Sequence, residues 1–218
     1  MKNPLSALVA VLLMALATRG ADAQTFVGGS AGLSWSTVDW QVPKPPSGCR
    51  SCIADIAPAR HRNFLPLALM AHHTFNRWVA LGGDARYIGK GWDVTTPALH
   101  VDYIDVPVLL RLGPQSTRES PVGVFVEAGP GGSLRTLCDV SGPCSRRSNQ
   151  DWRIRPFDLT ANFGGALSLK VDRNLWIAGL RVTNGLLDMG GPDYPMKNRT
   201  FFVHVGWATA IGASANPN

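Results

Sequence analysis

The chain has 218 residues, a formal net charge of +6, 45% hydrophobic residues, and 23 Gly, 16 Pro and 7 Trp. That length fits one domain, and the glycine, proline and tryptophan content suits short strands and tight turns better than a helical bundle. After residue 24 no apolar run approaches the ~20 residues a membrane helix needs. A helical span is therefore excluded from that part, and membrane residence would require a closed barrel.

The first segment predicts export. Met1 and Lys2 form a short positive start, Ala7 to Ala17 is unbroken apolar sequence, and Ala21-Asp22-Ala23 has the small-x-small form of a signal-peptidase site. Residues 1–23 are expected to be a signal peptide cleaved before Gln24, residues 24–212 a barrel domain, and residues 213–218 a polar tail. Loss of Lys2, Arg19 and Asp22 lowers the net charge to +5. A basic balance can indicate nucleic acid, but export replaces that partner with an anionic lipid surface.

Eight strands are then expected in chain order. Phe26 to Val38, Phe64 to His72 and Trp78 to Ile88 have strand composition bounded by turn chemistry. In the fourth, Ile104, Val106, Val108, Leu110 and Leu112 alternate with Tyr103, Asp105 and Arg111. In the fifth, Val122, Val124, Val126 and Ala128 oppose Phe125, Glu127 and Ser133. The sixth is clearest: Phe157, Leu159, Ala161, Phe163, Leu167 and Leu169 alternate with Asp158, Thr160, Asn162 and Ser168. A helix would mix those two sets around its circumference, and Gly164-Gly165 would weaken it further. Trp176 to Val182 and Phe201 to Trp207 supply the last two strands. Pro66 and Pro107 cannot donate to a ladder, so bulges are expected there.

Connections fall into two classes. His73 to Arg77 and Val171 to Asn174 are short, whereas Asp39 to Asn63, Thr136 to Arg155 and Leu187 to Lys197 are long. This is the asymmetry of bacterial outer-membrane barrels, with short periplasmic turns and long outer loops. The turn Gly113 to Pro121 is longer than that scheme requires. Trp35, Trp40, Trp92 and Trp152 fall at the expected outer ends, and Trp78, Trp176 and Trp207 at the inner ends, as two aromatic girdles would. The fold class is thus all-β: a single up-and-down antiparallel transmembrane barrel of about eight strands.

Tyr103-Ile104-Asp105-Val106-Pro107-Val108-Leu109-Leu110 followed by Arg111 resembles the aromatic-aliphatic-acid-aliphatic-Pro strand of the outer-membrane β-barrel domain family that includes PorT-like proteins, often labelled "porin family". Val124 to Pro130, Phe163-Gly164-Gly165-Ala166, Gly179-Leu180-Arg181 and Lys197 to Phe202 are similar to its later strands. The resemblance spans nearly the whole mature chain and implies a fold rather than a reaction. The chain departs from the pattern in a cysteine pair in its first long loop and in a polar Ala-Asn-Pro-Asn end where many such barrels finish on an aromatic residue.

Charges on the expected inward face are Asp84, Arg86, Asp105, Arg111, Glu127, Arg135, Asp158 and Arg181, with His204 beside them. Buried charge is costly unless paired, and an eight-stranded barrel is only wide enough for side chains to fill. An interior network of paired charges and a plugged lumen are therefore expected.

Cys49, Cys52, Cys138 and Cys144 lie in two of the long loops, in a disulfide-permissive compartment. Loop disulfides are expected, and three pairings stay open. Cys49-x-x-Cys52 has the CxxC form of redox and zinc sites, but it lacks their βαβ context and a second CxxC. Arg146, Arg147, Arg153 and Arg155 make one outer loop basic, and guanidinium groups suit bidentate phosphate contacts. Lipopolysaccharide is the expected partner there, alongside outer-membrane lipid and the outer-membrane assembly machinery, with the chain a monomer. His72 and His73 point to opposite faces of a strand and cannot share one lumen metal. No GxSxG or GxGxxG motif accompanies them. No catalytic, cofactor or metal residue is assigned. The competing reading is a soluble exported lipocalin-like barrel for a small apolar ligand, with its apolar faces inward.

Overall fold

The computed structural model describes residues 23–40, 60–93, 99–138, 155–188 and 196–211. The strands are β1 (Gln24–Trp40), β2 (Arg60–Phe64), β3 (Leu67–Thr74), β4 (Val79–Asp93), β5 (Leu99–Leu112), β6 (Val122–Cys138), β7 (Phe157–Val171), β8 (Asn174–Gly185) and β9 (Met196–Ile211). β2 and β3 are two halves of one barrel strand. Both pair with β1 in a single register, through Ser34↔Phe64 and Ala31↔Leu67, with Leu65-Pro66 between them. All neighbours are antiparallel, and β1 pairs with β9 to close an eight-stranded barrel.

The two faces of each strand have opposite chemistry. Along β7, Asp158, Thr160 and Asn162 are buried while Phe157, Leu159 and Phe163 are exposed. Arg86, Arg111 and Arg181 are at most 2% exposed, whereas Leu69 is 74% and Val126 64% exposed. This is the reverse of a water-soluble protein. The polar inward face rules out the lipocalin-like arrangement, and the outward apolar surface suits hydrocarbon. Trp78, Trp176 and Trp207 are all exposed near the short-turn end, and Trp176 and Trp207 are direct register partners. Trp35 stands towards the long-loop end. Trp152 and the side chains of Trp40 and Trp92 lie outside the described residues.

Only one of the two expected proline bulges is present. At Pro66 the chain does gain a residue: His61↔Trp92 and Leu67↔Tyr87 differ in offset by one position across β4. At Pro107 the offset is unchanged, since Gly83↔Val108 and Arg86↔Asp105 belong to one register. The proline there removes a donor without inserting a residue. The shift in the β5–β6 ladder lies instead between Asp102 and Tyr103.

The short turns have local causes. Asn76 Oδ1 accepts the Trp78 and Val79 amides at 2.8 and 3.0 Å. Asp172 adopts φ 53° in the two-residue β7–β8 turn, where Asp tolerates the left-handed region well. The longer segment after Gly113 folds beneath the barrel. Gln115 and Ser116 are buried, the Gln115 amide donates to the Arg77 carbonyl at 2.8 Å, and the Val124 amide donates to Pro114 at 2.8 Å.

Candidate functional site

Three layers of side chains point into the barrel. Nearest the short turns lies an apolar cluster that includes Phe26, Met70, Phe125, Leu175, Ile177 and Ala208. Above it is a ring of charge, and towards the long loops a layer of hydroxyls and amides with Lys90 and the carboxylates of Asp105 and Asp158.

The charged ring is built by β3, β4, β5, β6 and β8. Glu127 and Arg111 face each other directly in the β5–β6 register, and Arg111 Nε donates to Glu127 Oε2 at 3.0 Å. The other carboxylate oxygen of Glu127 takes Arg181 Nε at 2.8 Å. Arg181 Nη1 then crosses the lumen to Asp84 Oδ2 at 2.6 Å, and Asp84 Oδ1 lies 3.2 Å from Arg86 Nε. At the other end of the chain Arg111 Nη1 contacts His72 Nδ1. Arg86 is held by charge and by a ring, its Cζ lying 4.4 Å from the Phe202 centroid. Arg111 Cζ likewise lies 5.0 Å from the Phe125 centroid.

Glycine makes these reaches possible. Gly164 of β7 is the register partner of both Glu127 and Arg181, so no side chain stands between them. Gly82 of β4 is the register partner of His72, and the Arg111 side chain lies across it: a Cβ there would lie 2.5 Å from the Arg111 guanidinium carbon.

The upper layer centres on Lys90, which donates to Asp105 Oδ1 at 2.8 Å and to Ser133 Oγ at 2.8 Å. Its ammonium is 4.8 Å from the Tyr103 ring. Ser36 donates to the Gly89 carbonyl at 3.1 Å and bonds to the Thr200 hydroxyl at 3.0 Å. Thr183 donates to Asn162 at 2.7 Å.

The structure therefore joins Asp84, Arg86, Arg111, Glu127 and Arg181 in one chain of ion pairs, and gives Asp105 a separate partner in Lys90. His204 is buried and stacks on Phe202, with ring centroids 4.9 Å apart. Asp158 accepts the Leu187 amide at 3.2 Å and has no ion-pair partner among the described residues. Arg135 is half-buried nearer the long loops, and its amide donates to Pro156 at 2.8 Å. Sequence reading missed Lys90 and His72 as members. For Lys90 the clue was present: it continues the two-residue spacing of Arg86 and Ile88.

Cys49, Cys52, Cys144, Arg146, Arg147 and Arg153 lie outside the described residues. Cys138 ends β6, with its side chain also outside the description. Arg155 is described and exposed. Among the described residues no group of three His, Cys, Asp or Glu side chains is placed to hold a metal ion. Both carboxylates of the central chain are committed to guanidinium groups, an arrangement that fixes strands to one another by paired charge.

No protein-family model and no curated protein sequence matches the chain. Solved structures do. Neisserial surface protein A is 12% identical with a TM-score of 0.55, over 86% of this chain and 97% of that one. The outer membrane protein OprG from Pseudomonas aeruginosa is 12% identical with a TM-score of 0.53, over 89% and 99%. The outer membrane protein AlkL, determined in lipid bilayers by solid-state NMR, is 14% identical with a TM-score of 0.52, over 91% and 96%. The chain has the fold of the small outer-membrane β-barrels. At these identities the likeness is one of architecture.

Proposed function

We propose that the chain is a non-conducting outer-membrane barrel of a Gram-negative bacterium, with a structural or surface-interaction role and no reaction of its own. The observation that carries this reading is the buried ion-pair chain running from Arg111 through Glu127 and Arg181 to Asp84 across the lumen. Side chains tied to one another across the axis leave little path for a solute, and eight strands enclose little more than those side chains. The outward apolar face and the names of the similar structures support the outer membrane as its location.

In this reading residues 1–23 direct export, the assembly machinery inserts the chain as a monomer, and the long-loop end faces outward. Membership of the PorT-like group rests on the strand motifs around Asp105 and Glu127. The four cysteines staple the long loops, and Arg146, Arg147, Arg153 and Arg155 meet the phosphates of lipopolysaccharide, where guanidinium suits the ligand.

Two measurements test it. The protein should need detergent for extraction and show heat-dependent gel mobility, and it should give no steady channel in planar bilayers. Extraction without detergent, or stable conductance of open-porin size, overturns the reading.

A further inference from the structure

Phe201, Arg199 and Lys197 succeed one another at two-residue intervals on the outward face of β9, and all three are exposed. At ~3.4 Å per residue, Arg199 stands about 7 Å and Lys197 about 14 Å beyond Phe201 towards the long loops. The outward residues just below, Val203 and Val205, are exposed and apolar. The two cations therefore sit where the apolar surface ends.

Among the described residues no charged side chain is paired with Arg199 in the ladder. Its register partners are Thr37 on β1 and Asn184 on β8, both uncharged. Among the described residues neither Arg199 nor Lys197 takes part in an ion pair. Lys197 is opposite Asp39 in the register, so the greater weight falls on Arg199.

Directly below Arg199, Phe201 pairs with Trp35, their ring centroids 5.6 Å apart. On the other side of Trp35 the wall has a groove of about 320 Å³ lined by Leu33, Ser34, Trp35, Phe64 and Leu65. It lies where Pro66 interrupts the strand and cannot donate to the ladder. Leu33 and Leu65 are 55% and 63% exposed along it.

We propose that this corner of β9, β1 and β2 is a binding site for a phosphorylated, multiply acylated glycolipid of the lipid A type. Arg199 holds a phosphate, with Lys197 as the second cation. The Trp35–Phe201 pair lies under the sugar, and one acyl chain enters the groove. Guanidinium matches phosphate through paired N–H donors, and the aromatic pair and groove supply the adjoining apolar contact. The inference rests on the reading that the long-loop end faces outward.

The test uses the full protein in detergent, with lipid retention measured by native mass spectrometry. The probes are bisphosphorylated lipid A, its monophosphorylated form and phosphatidylglycerol. The protein should retain bisphosphorylated lipid A best. Arg199→Ala with Lys197→Ala should weaken retention about tenfold, as loss of charge-assisted hydrogen bonds implies, while Arg199→Lys keeps part of it and Arg173→Ala, at the short-turn end, keeps all of it. Heat-dependent gel mobility confirms that each variant is folded. Equal retention by the double variant, or equal retention of phosphatidylglycerol and lipid A, overturns the site. An epitope inserted after Gly190 and probed on intact cells reports orientation separately. A hidden epitope overturns the outward reading and the glycolipid site with it, whereas an accessible epitope with undiminished retention in the double variant overturns the site alone.

Discussion

Arg181 and Glu127 lie on β8 and β6 with a whole strand between them, yet their side chains meet at 2.8 Å, because the residue between them is Gly164. Arg111 uses Gly82 in the same way on the other side of the barrel, where His72 and Gly82 are register partners. Each glycine lets a long guanidinium side chain lie flat across a neighbouring strand. The lumen is therefore tied together by contacts that skip one strand as well as by contacts between adjacent ones.

Breaking one partner of this network should be costly. Glu127→Gln is expected to destabilise the barrel by about 3 kcal/mol, since it leaves buried guanidinium groups under-compensated. Combined with Arg181→Met, it should show a coupling energy above about 1 kcal/mol in urea unfolding from phospholipid vesicles. Additive effects would mean that the two side chains do not act as a pair.

Gly164 and Gly165 are adjacent but should respond oppositely to a methyl group. A Cβ on Gly164 would lie 2.4 Å from the Leu180 carbonyl oxygen and 3.2 Å from Glu127 Oε1, whereas one on Gly165 would have only the Phe125 carbonyl oxygen, at 3.4 Å. Gly164→Ala should cost roughly 1–3 kcal/mol, and Gly165→Ala should leave the thermal midpoint nearly unchanged. Equal sensitivity at the two positions would contradict the assigned faces.

Phe163 is 56% exposed on the outward face of β7. If that face meets hydrocarbon, Phe163→Arg should cost about 2–4 kcal/mol in lipid. On a water-facing surface the same change would stay within about 0.5 kcal/mol. Folding equilibria measured in vesicles separate the two cases.

The seam around Pro66 should open more readily than the rest of the wall. No ladder pairs connect residues 62–66 with residues 88–91, between His61↔Trp92 and Leu67↔Tyr87. Backbone amides at 62–65 should exchange about tenfold faster than those at 68–72 in detergent micelles, reflecting a lower local opening energy. Uniform protection along this strand would contradict a weak seam.

Much of this architecture is legible in sequence because the strand period is two and the faces differ sharply in chemistry. Asp158, Thr160 and Asn162 against Phe157, Leu159 and Phe163 suffice to define β7 and its inward side. The signal fades where strands rise past the apolar zone. β4 continues to Asp93 through Gly89 and Gly91, whose outward or inward placement leaves no hydrophobic trace, so Lys90 is not seen as a lumen residue. Pairing is harder still. Whether Arg181 meets Glu127 or Asp158 depends on strand tilt and on which intervening residue lacks a side chain. In sequence, Gly164-Gly165 argues only against a helix. The two prolines show a similar limit, since composition alone does not say that Pro66 adds a residue while Pro107 merely omits a donor.

The ladder joining the first strand to the last matches every residue from Thr25 to Trp40 with one from Met196 to Ile211. A chain released before Met196 would carry two unpaired strand edges into hydrocarbon, where each unsatisfied backbone group costs several kcal/mol. The bilayer thus acts as a proofreader, admitting the finished cylinder and rejecting every shorter sheet that precedes it.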